Sequence, residues 1–265
     1  MYSPFEIAKI ANESSEYKVN RKFLKVLVSA ILAGIFIGLG YYAYIIIRAN
    51  SGINEGLNIF LGSVIFSVGI VMVLIAGADL FTGSCLVMFG VFDKKIRFGK
   101  ALNYLLIVLL GNFIGGLVLA ILIYYSNIPS DQVISYISSI FMAKTALSFW
   151  EALLRGILCN ILVAIGVYMA YGSKNISGKI LAAVFPVSAF VVTGFEHIVA
   201  NMFILPLGLM YPKLLPAYVG VEFDMFMNII INNVIPVTIG NFIGGGIILP
   251  LAYHYIYLSD KNTNH

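Results

Sequence analysis

Gly77-Ala78-Asp79-Leu80-Phe81-Thr82-Gly83 sits inside an apolar stretch that runs from residue 57 to residue 92. That stretch holds about 36 residues, whereas a helix across a ~30 Å hydrocarbon layer takes about 20. Length rules out one straight crossing, and glycines around a carboxylate mark where the helix stops. Two half-helices meeting at this segment are predicted. The stretch 179–209 is also long, and Thr193-Gly194-Phe195-Glu196-His197 interrupts it. Four unbroken spans complete the chain, near 23–47, 98–125, 146–171 and 232–258. Apolar residues make up 60% of the 265 and charged ones 11%, with a mean hydropathy of +0.97. The fold class is therefore all-α, a polytopic membrane protein of six transmembrane helices whose second and fifth are broken. Helical periodicity argues against a β-barrel.

Gly111-Asn112-Phe113-Ile114-Gly115-Gly116 in the third span recurs as Gly240-Asn241-Phe242-Ile243-Gly244-Gly245 in the sixth. Each copy follows a broken helix, so 21–125 and 146–258 read as two repeats within a single channel domain covering 1–265. Three crossings per repeat force the two into opposite orientations, the plan of many channels and secondary transporters. Glycine spacing of this kind also serves plain helix packing, but packing alone does not explain breaks at matching positions.

Residues 1–20 read as a cytoplasmic amphipathic helix, with Ser3, Pro4 and Glu6 at N-cap, N1 and N3. No charged leader or small-residue cleavage site marks them as a signal peptide. Twelve Lys and Arg flank the spans on this side, including Lys18, Arg21, Lys94, Lys174 and Lys261; only Arg48, Lys144 and Lys213 lie on the other. That bias places both termini in the cytoplasm. Basic residues beside spans do not form a nucleic-acid surface. Cys85 and Cys159 sit unpaired in apolar runs, so neither a disulfide nor a metal site is expected.

Backbone leaving a helix at membrane depth strands polar groups, so the two breaks are expected to line one cavity. The N-termini of the second half-helices aim partial positive charge at it, opposed by the C-termini of the first. Among the ionisable residues at this depth, Glu151 and Arg155 are spaced i, i+4 and read as a structural ion pair. Asp79 and Glu196 read as braces that accept freed backbone N–H groups. His197 differs, because imidazole exchanges protons near neutral pH.

The two break segments, the run Gly194-Phe195-Glu196-His197-Ile198-Val199-Ala200-Asn201-Met202 and the doubled hexapeptide resemble the signatures of the formate/nitrite transporter family, which includes hydrosulfide channels. The likeness covers the whole chain. It implies an aquaporin-like fold and a homopentamer with a pore in each protomer, set in membrane lipid. It also implies passage of a small anion between two apolar constrictions flanking a central histidine, without a cofactor. By motif, His197 would be that histidine and Thr82 its neighbour. Lys144 would draw anions into the vestibule, with Asn160 further along the pore. Leu80, Phe81, Phe66 and Phe190 would be the constrictions, and Asn201, Asn112 and Asn241 would brace the loops with Asp79 and Glu196. The resemblance leans to the hydrosulfide branch, though no residue excludes formate or nitrite.

A bare anion crosses an apolar ring at high cost while its neutral conjugate acid does not, so His197 is expected to couple passage to protonation. A proton-coupled carrier of the same anions is the alternative. An aquaporin would need paired Asn-Pro-Ala turns, and an ammonium channel two facing histidines; His254 and His265 lie at the last span's end and in the tail. An intramembrane enzyme would need a nucleophile or metal motif, and neither Gly-x-Ser-x-Gly nor His-Glu-x-x-His occurs.

Overall fold

The computed structural model describes residues 2–49, 52–211 and 222–259, helical apart from turns and short irregular or extended segments such as 78–80 and 195–197. Lys213, Lys261 and His265 lie outside the described residues. Helix α1 (Pro4–Val19) opens with a capping box: Ser3 Oγ accepts from Glu6 N, and Glu6 Oε2 accepts from Ser3 N at 2.7 Å. The Ser3 backbone and hydroxyl together hold the Glu6 carboxyl below its usual range. The buried face of α1, Ala8, Ala11, Asn12 and Ser15, lies against the bundle.

Helix α2 (Phe23–Ala49) crosses next. Helices α3 (Glu55–Phe66) and α4 (Val68–Ala76) form a 22-residue limb. It bends at Ser67, whose hydroxyl bonds Ser63 O at 3.2 Å and Ser188 Oγ at 3.1 Å. This first limb is thus longer than the half-crossing that the sequence suggests. After the break come α5 (Phe81–Ser84), a 3-10 turn (Cys85–Val87) and α6 (Met88–Phe92), then α7 (Phe98–Tyr125). Helix α8 (Asp131–Thr145) is an element the hydropathy reading leaves as a connection. It is too short and polar to span, but Val133, Ile137, Phe141 and Thr145 repeat at i, i+4 and bury one face.

Helix α9 (Phe149–Tyr171) precedes the second broken limb, α10 (Ile176–Val192) and α11 (Ile198–Leu209). Helices α12 (Glu222–Ile229), α13 (Ile235–Phe242) and α14 (Leu249–Tyr257) follow, joined by π-helical turns at Ile230–Val234 and Ile243–Ile248. They make one apolar run, Asp224–Tyr257, of 34 residues. Among the described residues, five helices are long and apolar enough to cross a membrane, while Phe81–Phe92, Ile176–Val192 and Ile198–Leu209 are shorter.

The repeated hexapeptide is where the first helix of each half lies on the third. A Cβ on Gly115 would stand 2.0 Å from Ile31 O of α2, and one on Gly34 2.2 Å from Asn112 O. In the second half, Cβ atoms on Gly240 and Gly244 would each stand 2.3 Å from a carbonyl oxygen of α9, those of Leu153 and Ile157. Backbone packed on backbone cannot move aside, which is how glycine stripes set helix separation in lipid. Gly115→Ala and Gly244→Ala should each lower stability by about 1–3 kcal/mol. Gly99→Ala, where an added Cβ meets nothing within 4 Å, should hold or raise the midpoint. Thermal unfolding in detergent reads all three.

Candidate functional site

Helix α4 ends at Gly77 with φ +81°, and α10 runs into Gly194 with φ +71°. A left-handed residue at each place turns the chain out of its helix without a Cβ clash. One asparagine then closes each break. Asn112 Nδ2 donates to Ala30 O at 2.8 Å and Asp79 O at 3.0 Å, while its Oδ1 accepts from Phe81 N at 2.8 Å. Asn241 Nδ2 donates to Gly156 O at 2.7 Å and Glu196 O at 2.9 Å, while its Oδ1 accepts from Ile198 N at 2.9 Å. Corresponding atoms are bonded in both halves.

The carboxylates have a different task from the one read in the sequence. They take cations and side-chain donors, while Phe81 N and Ile198 N go to the asparagines and Glu196 N goes to Arg155 O at 3.3 Å. Asp79 is hydrogen-bonded by Arg21, receives Tyr104 OH at 2.9 Å and has Lys18 Nζ at 4.0 Å. Glu196 receives Lys144 Nζ at 2.8 and 2.9 Å on its two oxygens and Asn201 Nδ2 at 2.7 Å. Both carboxylates are buried, where a charge must be paired to persist. Glu151, expected beside Arg155, instead turns back to cap Ser148: its Oε2 accepts from Ser148 N at 2.9 Å and Oγ at 2.8 Å.

His197 is the N-cap of α11. Its Nδ1 accepts from Ala200 N at 3.1 Å and its Nε2 lies 2.9 Å from Thr82 Oγ1. A ring nitrogen that accepts an amide N–H carries no proton, so the proton sits on Nε2 and is donated to Thr82. Phe190 stacks on the imidazole with centroids 5.5 Å apart, and Phe66 meets Phe190 edge-on at 5.5 Å.

Two cavities share no lining residue: Leu80 and Gly83, close to Thr82 in the chain, line one, and His197 lines the other. One, of about 300 Å³, is lined by Lys18, Arg21, Asp79, Leu80, Gly83 and Tyr171. The other, of about 100 Å³, is lined by Tyr41, Tyr44, Phe66, Lys144, Phe190 and His197, among others. Phe81, Thr82 and Asn160 line neither. Asn160 is fully buried and donates to Thr82 O at 3.3 Å and Asn241 O at 2.6 Å, so it touches the Thr82 turn through its main chain. Sequence reasoning missed Arg21, Tyr104, Tyr41 and Tyr44; only contact across the fold singles them out. Among the described residues no cluster of three or more metal-ligating side chains occurs.

The family model described as formate/nitrite transporter matches residues 5–255. The chain belongs to the formate/nitrite transporter family. It is similar to the formate channel FocA of Escherichia coli (strain K12), with 35% identity over 276 residues, 99% of this chain and 96% of that protein. A solved structure described as a pentameric formate channel with formate bound is 30% identical, with a TM-score of 0.76 over 89% of this chain and 98% of that one. Another, an FNT family ion channel, is 28% identical, with a TM-score of 0.79 over 95% and 97%. The protein is thus a multi-pass membrane channel or transporter, not an enzyme, and its helical fold is that of the formate/nitrite transporter family. Because Glu196, buried at a helix break, pairs a lysine whose side chain is 12% exposed, Glu196→Gln should cost on the order of 3 kcal/mol of stability. Substrate preference should stay as it was. Thermal unfolding beside a transport comparison tests this, and a stable variant with switched preference would make Glu196 a selectivity residue instead.

Proposed function

We propose that this protein is a channel for small monovalent anions of weak acids, with formate, nitrite and hydrosulfide as candidate substrates. It would work as a homopentamer with a pore in each protomer, in the cytoplasmic membrane, with both termini inside. Residues 21–125 and 146–258 would be the inverted halves of one channel domain. The observation that carries the reading is the Thr82–His197 hydrogen bond between two separate cavities, each with a carboxylate–cation contact at a helix break.

On this reading the α1-side cavity faces the cytoplasm and the other faces outward. Lys144 spends two N–H groups on Glu196, and its third offers an arriving anion a donor. Leu80 and Phe81 on one side of His197, and Phe66 and Phe190 on the other, form the apolar constrictions. Nε2–H is the donor the ring presents between them. Coupling to protonation then takes a relay: Ala200 N–H releases Nδ1, a proton enters there, and the Nε2 proton passes to the anion. The neutral acid crosses the constriction and gives its proton back to Nε2, and Nδ1 then releases its own, which restores the tautomer that caps α11. Because the two cavities do not join, a proton-coupled carrier of the same anions is the second reading. Flux with and without an imposed pH gradient separates the two.

His197→Asn keeps a polar group without an ionisable ring. In proteoliposomes it should conduct anions with a pH dependence that is flat between about 5 and 8, where imidazole titrates. Retention of the wild-type profile would sink the relay and leave the pore. Lys144→Ala should reduce uptake of every permeant anion by removing the N–H donor that meets it, with little change in the dependence on ionic strength, because Glu196 already pairs the charge. Unchanged flux would remove Lys144 from the pathway.

A further inference from the structure

Lys144 is a poor long-range attractor in this geometry, because both Glu196 oxygens cover its charge. Another cation on the same side is less compensated. Arg48, on the last turn of α2, donates Nη2 to Glu55 at 2.7 Å and Nε to the Tyr136 hydroxyl at 3.1 Å, while its buried Nη1 has no partner. Glu55 is 74% exposed, so water screens that ion pair. Tyr136 lies 3.4 Å, hydroxyl to hydroxyl, from Tyr44. Arg48 and Tyr136 line an open depression of about 470 Å³, and Tyr44 lines the cavity that holds Lys144 and His197. The two phenols therefore link a residue of the surface depression to a residue of the deeper cavity.

We propose that Arg48, Tyr136 and Tyr44 form an anion-recruiting site at the outer mouth that passes small monovalent anions to the His197 cavity. This rests on the pore reading above. Arginine can only donate, so it occupies a lone pair on the Tyr136 oxygen and polarises that phenol. Tyr136 then donates its O–H in a hydrogen bond to the Tyr44 oxygen. That leaves the Tyr44 O–H free to donate to an anion inside the cavity, and an anion there strengthens every bond in the chain. Asp131 also lines the depression, but as the first residue of α8 it sits at that helix's positive end. Tyr44 also packs edge-on to Phe66 at 6.5 Å, so the donor stands beside the outer constriction.

Uptake of formate and of nitrite into proteoliposomes with the α8 side outward tests the site. Tyr44→Phe keeps the ring and its packing and removes only the hydroxyl. Its half-saturating concentration should rise roughly threefold to tenfold, the range of one hydrogen bond, with maximal flux retained and efflux from the α1 side unchanged. Arg48→Gln should raise it similarly, and the double variant should add little to either single one. A folded Tyr44→Phe protein with the wild-type half-saturation, or one that loses only maximal flux, overturns the proposal. If Arg48→Gln does not fold, Tyr44→Phe decides alone. A wild-type protein that moves neither these anions nor hydrosulfide overturns the pore reading, and this site with it.

Discussion

A backbone amide released from a helix inside a membrane has no water to bond, and here two asparagines answer for both such places. Asn112 and Asn241 each hold a carbonyl of the first helix in their half, the carbonyl of the carboxylate residue at the break, and the first amide of the following limb. An unsatisfied buried amide costs about 1–3 kcal/mol, and each break would otherwise strand several such groups. The glycines beside each asparagine belong to the same device. With any Cβ at Gly115 or Gly244, the neighbouring helix could not come within reach of the amide. The hexapeptide repeats because the same problem is solved twice.

Once the loops are held, their side chains can be spent on charge. Each carboxylate meets a cation from a distant segment, Arg21 from 58 residues before Asp79 and Lys144 from 52 residues before Glu196. The two ends are not equivalent in charge. Two cations, Lys18 and Arg21, approach Asp79, while Lys144 and Glu196 match one to one. Any surplus attraction on the α8 side must therefore come from a residue outside the break.

Those distances also explain what the sequence discloses and what it hides. The breaks are legible because a run of about 36 apolar residues cannot be one crossing, and the repeat because its six residues recur unchanged. The site residues are legible as types but not as partners. Lys144 reads as a free attractor only while Glu196 is not seen beside it, and Glu151 reads as Arg155's partner only while the Ser148 cap is not seen. Helix α8 escapes because hydropathy averages away an amphipathic segment of 15 residues. Tyr44 and Tyr136 escape because mid-helix tyrosines have no local signature at all.

On the proposed reading His197 would carry a structural duty and a chemical one on opposite edges of the same ring. Its Nδ1 caps α11 through Ala200 N, and Phe190 fixes the ring plane, so only Nε2 faces Thr82. A cap of this kind contributes about 1 kcal/mol, a factor of about five in occupancy. That is enough to favour the resting tautomer with a bare Nδ1. It is also small enough for the proposed relay to break it briefly at each passage, when an anion at Nε2 would offset the opening by stabilising charge on the imidazole. Proton exchange would then follow the arrival of an anion rather than precede it, and an empty pore would keep its histidine neutral and its cap closed.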